Sequence, residues 1–195
     1  MSTKKDIIDR CRANIRERLV RPTLADLNPT VYDNPLEKFI SQAQVMGCKV
    51  ERAKSTDEVD AIIKKVYPDA KIVASSLPYV RCASLNPDTV PDAQALNGVD
   101  VGVIRAEFGV AENGSVWVMQ NMKERDVYFI SENLVAVMPE NVVSNMHEAY
   151  GEVSFNDYGY GVFIAGPSKT ADIAQVLVLG AQAARSMTLI IIPNL

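Results

Sequence analysis

The chain has 195 residues, of which 48% are hydrophobic and 23% charged, with a net charge of −4. That is enough for one well-buried core and barely enough for two, and the acidic balance gives no electrostatic reason to expect nucleic acid or an anionic membrane as partner. No segment approaches the ~20 consecutive apolar residues of a bilayer span, and Met1-Ser2-Thr3-Lys4-Lys5-Asp6 leads into a charged helix rather than a signal core, so a cytoplasmic protein is expected.

In chain order, the first element is an amphipathic helix over 4–20. Ile7, Ile8, Cys11, Ile15 and Leu19 recur at spacings of three and four. Its arginines read as a solvated face paired with Asp6, Asp9 and Glu17. Pro22, Asn28, Pro29, Asp33 and Asn34 follow as linker chemistry, so residues 1–30 are expected to form a helical arm and residues 31–195 a single α/β domain. Leu36 to Met46 is a second helix, stopped by Gly47. Lys49 to Ala53 is a short strand. Ser55-Thr56-Asp57-Glu58 starts a helix that carries Val59, Ile62, Ile63 and Val66 and stops before Pro68. Lys71 to Ser75 is the next strand. Strand, helix, strand predicts a βαβ unit and a mostly parallel sheet.

Residues 77–98 read as irregular, with one short helix within 88–96. Four β-prone runs come next, at 101–104, 115–119, 127–130 and 134–138. Their short connections favour antiparallel pairing. A helix over 140–150 follows, then a strand at 161–165 bounded by glycine and read as a parallel core strand. Gly166 and Pro167 break it. Ser168 stands where an N-cap belongs, ahead of a helix over 169–181 that is apolar nearly all round and therefore expected to be deeply buried. Met187 to Ile192 is the last strand.

Two stretches could carry chemistry. At Gly166-Pro167-Ser168-Lys169-Thr170-Ala171-Asp172, a helix start just past a strand end would leave backbone N–H groups unpaired and able to hold an anion. Lys169 would add a full charge, and Ser168 and Thr170 would add hydroxyl donors. The plainer reading of the same residues is a capped turn. At Glu112-Asn113-Gly114, an Asn-Gly pair runs into a strand, which is by itself a tight-turn signal. Projected into a cleft, Glu112 could instead act as nucleophile, general base or cofactor ligand.

Metal chemistry has little material. Cys11, Cys48 and Cys82 are far apart, odd in number and lack any Cys-x-x-Cys spacing, which argues against a disulfide framework and against an iron–sulfur cluster held by this chain alone. The single histidine, His147, cannot build a multi-histidine site.

Three segments in order, AEFGVAENGSVWV (106–118), LVAVMP (134–139) and GPSKTADIAQVLVLGAQAARSMTLIII (166–192), resemble the LUD domain family, the lactate-utilisation proteins of the LutC and YkgG type. The resemblance implies a three-layer mixed α/β fold like that of the ribose-5-phosphate isomerase, glucosamine-6-phosphate deaminase and CoA-transferase superfamily (NagB/RpiA/CoA-transferase-like). It also implies a cluster-free subunit of a lactate-oxidising complex whose iron–sulfur clusters sit in partner subunits. The sequence departs from the family pattern at Asn113, at Asn133-Leu134, at Ala174 and at Gln182-Ala183-Ala184; the second and last of these stand where many members carry histidine. Glu112-Asn113-Gly114 is similar to the Glu-Asn-Gly of CoA-transferases, whose glutamate forms an acyl-CoA anhydride. An alternative expectation is therefore a small-molecule enzyme with Glu112 as its catalytic group. Its ligand, a small carboxylate or phosphate, would be held by Gly166, Ser168, Lys169, Thr170, Asp172, Asn113 and Gly114. A homo-oligomer joined through the first helix is the third expectation.

Overall fold

The computed structural model describes residues 3–17, 19–20, 27–153, 159–171 and 176–195. The first helix, α1 (Lys4–Ala13), is shorter than its apolar spacing predicts. It opens on a capping box between Thr3 and Asp6, and none of its residues is buried.

α2 (Pro35–Val45) starts on Asn34, whose side chain accepts from Glu37 N–H, with Pro35 in the first turn where its missing N–H costs nothing. β1 (Cys48–Arg52) follows. A 3-10 turn at Thr56–Glu58, capped by Ser55, leads into α3 (Val59–Val66) and then β2 (Val73–Ala74). β3 (Val101–Arg105) comes next. β4 (Phe108–Val110) and β5 (Ser115–Met119) form a hairpin. α4 (Val127–Ile130) precedes β6 (Asn133–Pro139). β7 (Val142–Val143), α5 (Met146–Glu152) and β8 (Gly161–Ile164) follow. β9 (Lys169–Thr170) and β10 (Val178–Leu179) pair with each other, and β11 (Ser186–Ile192) closes the chain.

Two larger sheets result. One has five strands in the order β1-β11-β6-β3-β2, every pair parallel. The other has four, in the order β7-β4-β5-β8, and is mixed. The parallel strands are apolar almost without interruption because both of their faces are covered. On one face Val101, Val103, Val135, Val137, Ile190 and Ile192 pack with Val59 and Ile63 of α3. On the other, Ile104, Leu134, Ala136, Met138, Leu189 and Ile191 share a core with Phe39 and Ala43 of α2 and Val116 and Val118 of the mixed sheet. The layers are thus α3, the parallel sheet, and α2 with the mixed sheet. α5 covers the outer face of the last, over Phe108, Val110 and Trp117.

The α/β class and the mostly parallel sheet hold, but four local expectations are corrected. The runs at 101–104 and 134–138 pair in parallel, because everything from 106 to 132 acts as one crossover; the intervening hairpin leaves the parallel sheet to build the second one. Residues 127–130 are a helical turn, not a strand: α4 lies against β3, where Gly102 has room for no Cβ, since one would stand 2.4 Å from Ser131 Oγ. β8 is antiparallel to β5 and only partly buried. The helix over 169–181 is not seen among the described residues of that stretch. Ser168 N–H donates to Ala184 O and Gly180 N–H to Ser168 O, so these amides pair with residues distant in the same chain instead of making i to i−4 bonds. An all-apolar helix needs core on every side, and both core layers are already filled by α2 and α3. Val176, Leu177 and Leu179, expected inside, are 61%, 63% and 50% exposed.

Candidate functional site

The Glu112-Asn113-Gly114 turn and the Gly166-Pro167-Ser168-Lys169 turn open at the same end of the mixed sheet. Val116 pairs with Ile164 across the β5–β8 ladder. Two further residues along each strand bring Gly114 opposite Gly166. Both glycines then rest on one helix. Gly114 has φ +69°, and a Cβ there would stand 2.7 Å from Ala43 N; Gly166 has φ +72°, and its Cβ would stand 2.6 Å from Met46 O. The two turns are seated a few residues apart on the C-terminal half of α2.

Within this arrangement Glu112, Asn113 and Lys169 each have a defined partner. Glu112 is exposed, and its Oε2 accepts from Met146 N–H at 2.9 Å, at the start of α5. A carboxylate suits that positive helix end. Asn145 caps the same helix by accepting from His147 and Glu148 N–H. The lone histidine is therefore next in sequence to the residue that Glu112 holds. Asn113 Oδ1 accepts from Ser115 N–H at 3.0 Å and from Ser115 Oγ at 2.7 Å, closing an Asx turn. Lys169 Nζ donates to Met46 O, putting its charge on the carbonyl end of α2, where a cation is favoured. Burial pushes the Cys48 thiol up to about 11, while a hydrogen bond from the Gly166 amide and the charge of Lys169 pull the other way. Thr170 lies in β9. Asp172 and Ala174 lie outside the described residues.

The anion cradle expected at Ser168 thus loses its helix. What the turn provides instead is one wall of a cleft of about 360 Å³, lined by Val162 to Lys169, Tyr128 and Phe129 of α4, Leu134, and Gln182, Ala183 and Ala184. Its walls are mainly apolar, with Ser168, Lys169 and Gln182 as polar points. Leu134 and Gln182–Ala184 are two of the places where the sequence departs from the family pattern, and here they meet. The sequence does not announce this aromatic wall, because the β-prone run 127–130 predicts a strand where the structure has α4. Burial pushes the Tyr128 phenol up to about 12, and its hydroxyl donates to Met119 O at 3.4 Å.

The family profile of the LUD domain matches residues 91–192, more than half of the chain. The chain belongs to the LUD domain family. The matched region runs through β3 to β11 and holds both turns of this LUD domain and the cleft. A crystal structure of a DUF162 family protein from Deinococcus radiodurans is similar over 84% of this chain and 99% of that one, with a TM-score of 0.59 and 14% identity; at that identity the likeness shows the fold. No curated protein matches the chain.

These contacts predict modest structural roles for the two charged groups. Glu112→Ala leaves Met146 N–H without its acceptor, and Lys169→Met removes a cation from the end of α2. Each substitution is expected to lower stability by about 1 kcal/mol, read as a lower urea midpoint at unchanged slope. A higher midpoint for either variant would mean that the charge is held at a cost to the fold.

Proposed function

We propose that this LUD domain is the LutC-like, cluster-free subunit of an iron–sulfur complex that oxidises L-lactate, its clusters being carried by partner subunits. The observation that carries this reading is membership of the LUD family across residues 91–192, which supports a lactate-utilisation-related protein. The disposition of possible ligands agrees with it. A chain with three cysteines and one histidine is poorly supplied for the four ligands of a cluster, and the cysteines lie on α1, on β1 and in the loop after β2. The groups best suited to catalysis at the paired turns, Glu112 and Lys169, are engaged with the ends of α5 and α2. In this reading the chain acts by binding and assembly.

The test is capture of the tagged full-length chain at native abundance from cells grown on L-lactate. Co-purification of iron-bearing partners, with the visible absorption of iron–sulfur clusters and electron transfer from L-lactate to a dye, is expected. Recovery of the chain without any iron-bearing partner would end the proposal.

A second reading takes support from the cleft. The two turns open together, as ligand sites in this class of fold do, and Ser168 and Lys169 stand at its rim. A small phosphate or carboxylate bound there would make the chain a small-molecule binder of the isomerase and CoA-transferase type. Inorganic phosphate is the probe: binding that is unaltered in Lys169→Met and Ser168→Ala removes this reading.

A further inference from the structure

Two apolar surfaces of the described residues stand open to solvent, and they differ in charge. The first is α1. None of its residues is buried. Ile7, Ile8 and Cys11 fall within one turn of each other and form a stripe along one side. A helix of 10 residues is marginal in water on its own, so α1 needs a surface under that stripe, and its own body does not supply one. The second surface surrounds α4. Phe129, Ile130 and Leu179 are large, apolar and exposed. They share one patch: Phe129 and Lys169 line the same cleft, and Leu179 is the β10 residue that pairs with Lys169.

The charges are complementary. Residues 1–20 carry a net +3 and the rest of the chain −7. In α1, Arg12 is 3.7 Å from Asp9, an exposed contact worth little, while Arg10 pairs with no described residue. Around the patch the cations are engaged: Lys169 with Met46 O, Arg185 with Glu132, and Arg125 over the Tyr160 ring, 4.7 Å from its centroid. Asp126, the residue before α4, makes no side-chain cap bond and no ion pair with a described residue. A basic helix with an apolar stripe and an apolar patch with an open carboxylate suit each other.

We propose that the chain forms a two-fold dimer in which α1 of each copy docks Ile7, Ile8 and Cys11 on Phe129, Ile130 and Leu179 of the other, with Arg10 facing Asp126. The body is anchored from Thr30, whose carbonyl accepts from Asn145 Nδ2, and Tyr32, whose N–H donates to Ser144 Oγ. Residues 14–29 join α1 to that anchor, and a chain of such length reaches up to ~55 Å, enough to cross to a neighbouring copy. One short helix buries too little to hold a dimer. Two, exchanged about a two-fold axis, double the area and cover both open surfaces at once. The inference rests on neither reading above, and the purified chain suffices to test it.

Sedimentation equilibrium of the full-length chain is the first measurement. A dimer that dissociates on dilution is expected. Ile7→Glu and Ile130→Glu should each raise its Kd ~10-fold or more, and Asp126→Arg by ~3-fold or more. Ile7→Glu should leave the urea midpoint of the diluted protein unchanged, since α1 has no buried residue, so its effect is read free of any loss of fold. Cys11 should react freely with a thiol reagent in the dilute monomer and more slowly in the dimer. To place the contact, wild-type chain is mixed with a Cys11→Ser, Leu179→Cys chain and mildly oxidised. A disulfide joining Cys11 of one chain to the residue introduced at 179 of the other is expected. A monomer at the highest soluble concentration, a dimer indifferent to Ile7→Glu, or Cys11 joined only to a second Cys11 would each overturn the proposal. So would α1 binding anionic vesicles or an iron-bearing partner while the purified chain stays monomeric.

Discussion

Gly114→Ala is expected to destabilise the protein by ~3–5 kcal/mol. Two costs combine. An alanine at φ +69° is strained by about 1–2 kcal/mol. Its Cβ would also stand 2.7 Å from Ala43 N and 2.9 Å from Ala43 Cα, which is helix backbone and cannot rotate aside. α2 must therefore shift, and Phe39, with its ring against Gly109, shifts with it. Gly98 separates the two costs. It has φ +84° but nothing within 4 Å of an added Cβ, so Gly98→Ala should cost only the strain, about 1–2 kcal/mol. Urea denaturation of the two variants side by side is the measurement. Equal losses would mean that α2 yields to the added methyl at no cost.

Stability should also fall steeply in alkali, by about 2 kcal/mol for each of two groups. The Cys48 thiol is held up at about 11 against an ordinary 9.0, and the Tyr128 phenol at about 12 against an ordinary 10.0, both chiefly by burial. Each group keeps its proton in the folded state after the unfolded chain has lost it. The unfolded state then binds fewer protons, so stability declines as pH rises. The Cys48 contribution is complete below about pH 9 and lost by about pH 11. That of Tyr128 is lost between about pH 10 and 12. Cys82, also raised to about 11 by burial and by Asp60, steepens the same limb. Urea midpoints at pH 8.0, 9.5 and 10.5 read the slope, about 1.4 kcal/mol per pH unit for each proton. In Cys48→Ala the decline between pH 9 and 11 should be shallower by one proton. A thiol reagent at pH 8 gives an independent reading: exposed Cys11 should react at once, half-buried Cys82 more slowly, and buried Cys48 only on unfolding.

Much of this fold was legible because its signals are local. The run Leu36 to Met46 with its stop at Gly47 announces α2, Ser55 caps the turn before α3, and the apolar runs at 101–104, 134–138 and 187–192 are strands buried on both faces. The partners of those strands were not legible. Short connections suggested hairpins, yet β4 and β5 leave for a second sheet and β6 returns beside β3. Apolar runs also cannot tell helix from strand when no polar face is present. Residues 127–130, rich in β-formers, became a helical turn because β3 offers Gly102 to receive it. After Ser168, where helix formers abound, Lys169–Thr170 and Val178–Leu179 pair as strands. At the candidate site, Glu112 and Lys169 stood out by residue type, but their contacts lie on α5 and α2, more than thirty and one hundred residues away in the chain.

The place of β11 governs how this domain can assemble. It is the last strand, yet it lies inside the parallel sheet, between β1 and β6. Cys48 must wait for Met187, and Asn133 for Ser186. Until then β1 has no neighbour in the sheet and α2 has only part of its floor. Closing so long a loop costs chain entropy before any contact offsets it, so folding is slow and late for the N-terminal strand. The early intermediate should be β2, β3 and β6 with α3 unanchored at one side, exposing the edge of β6 to other copies of the chain.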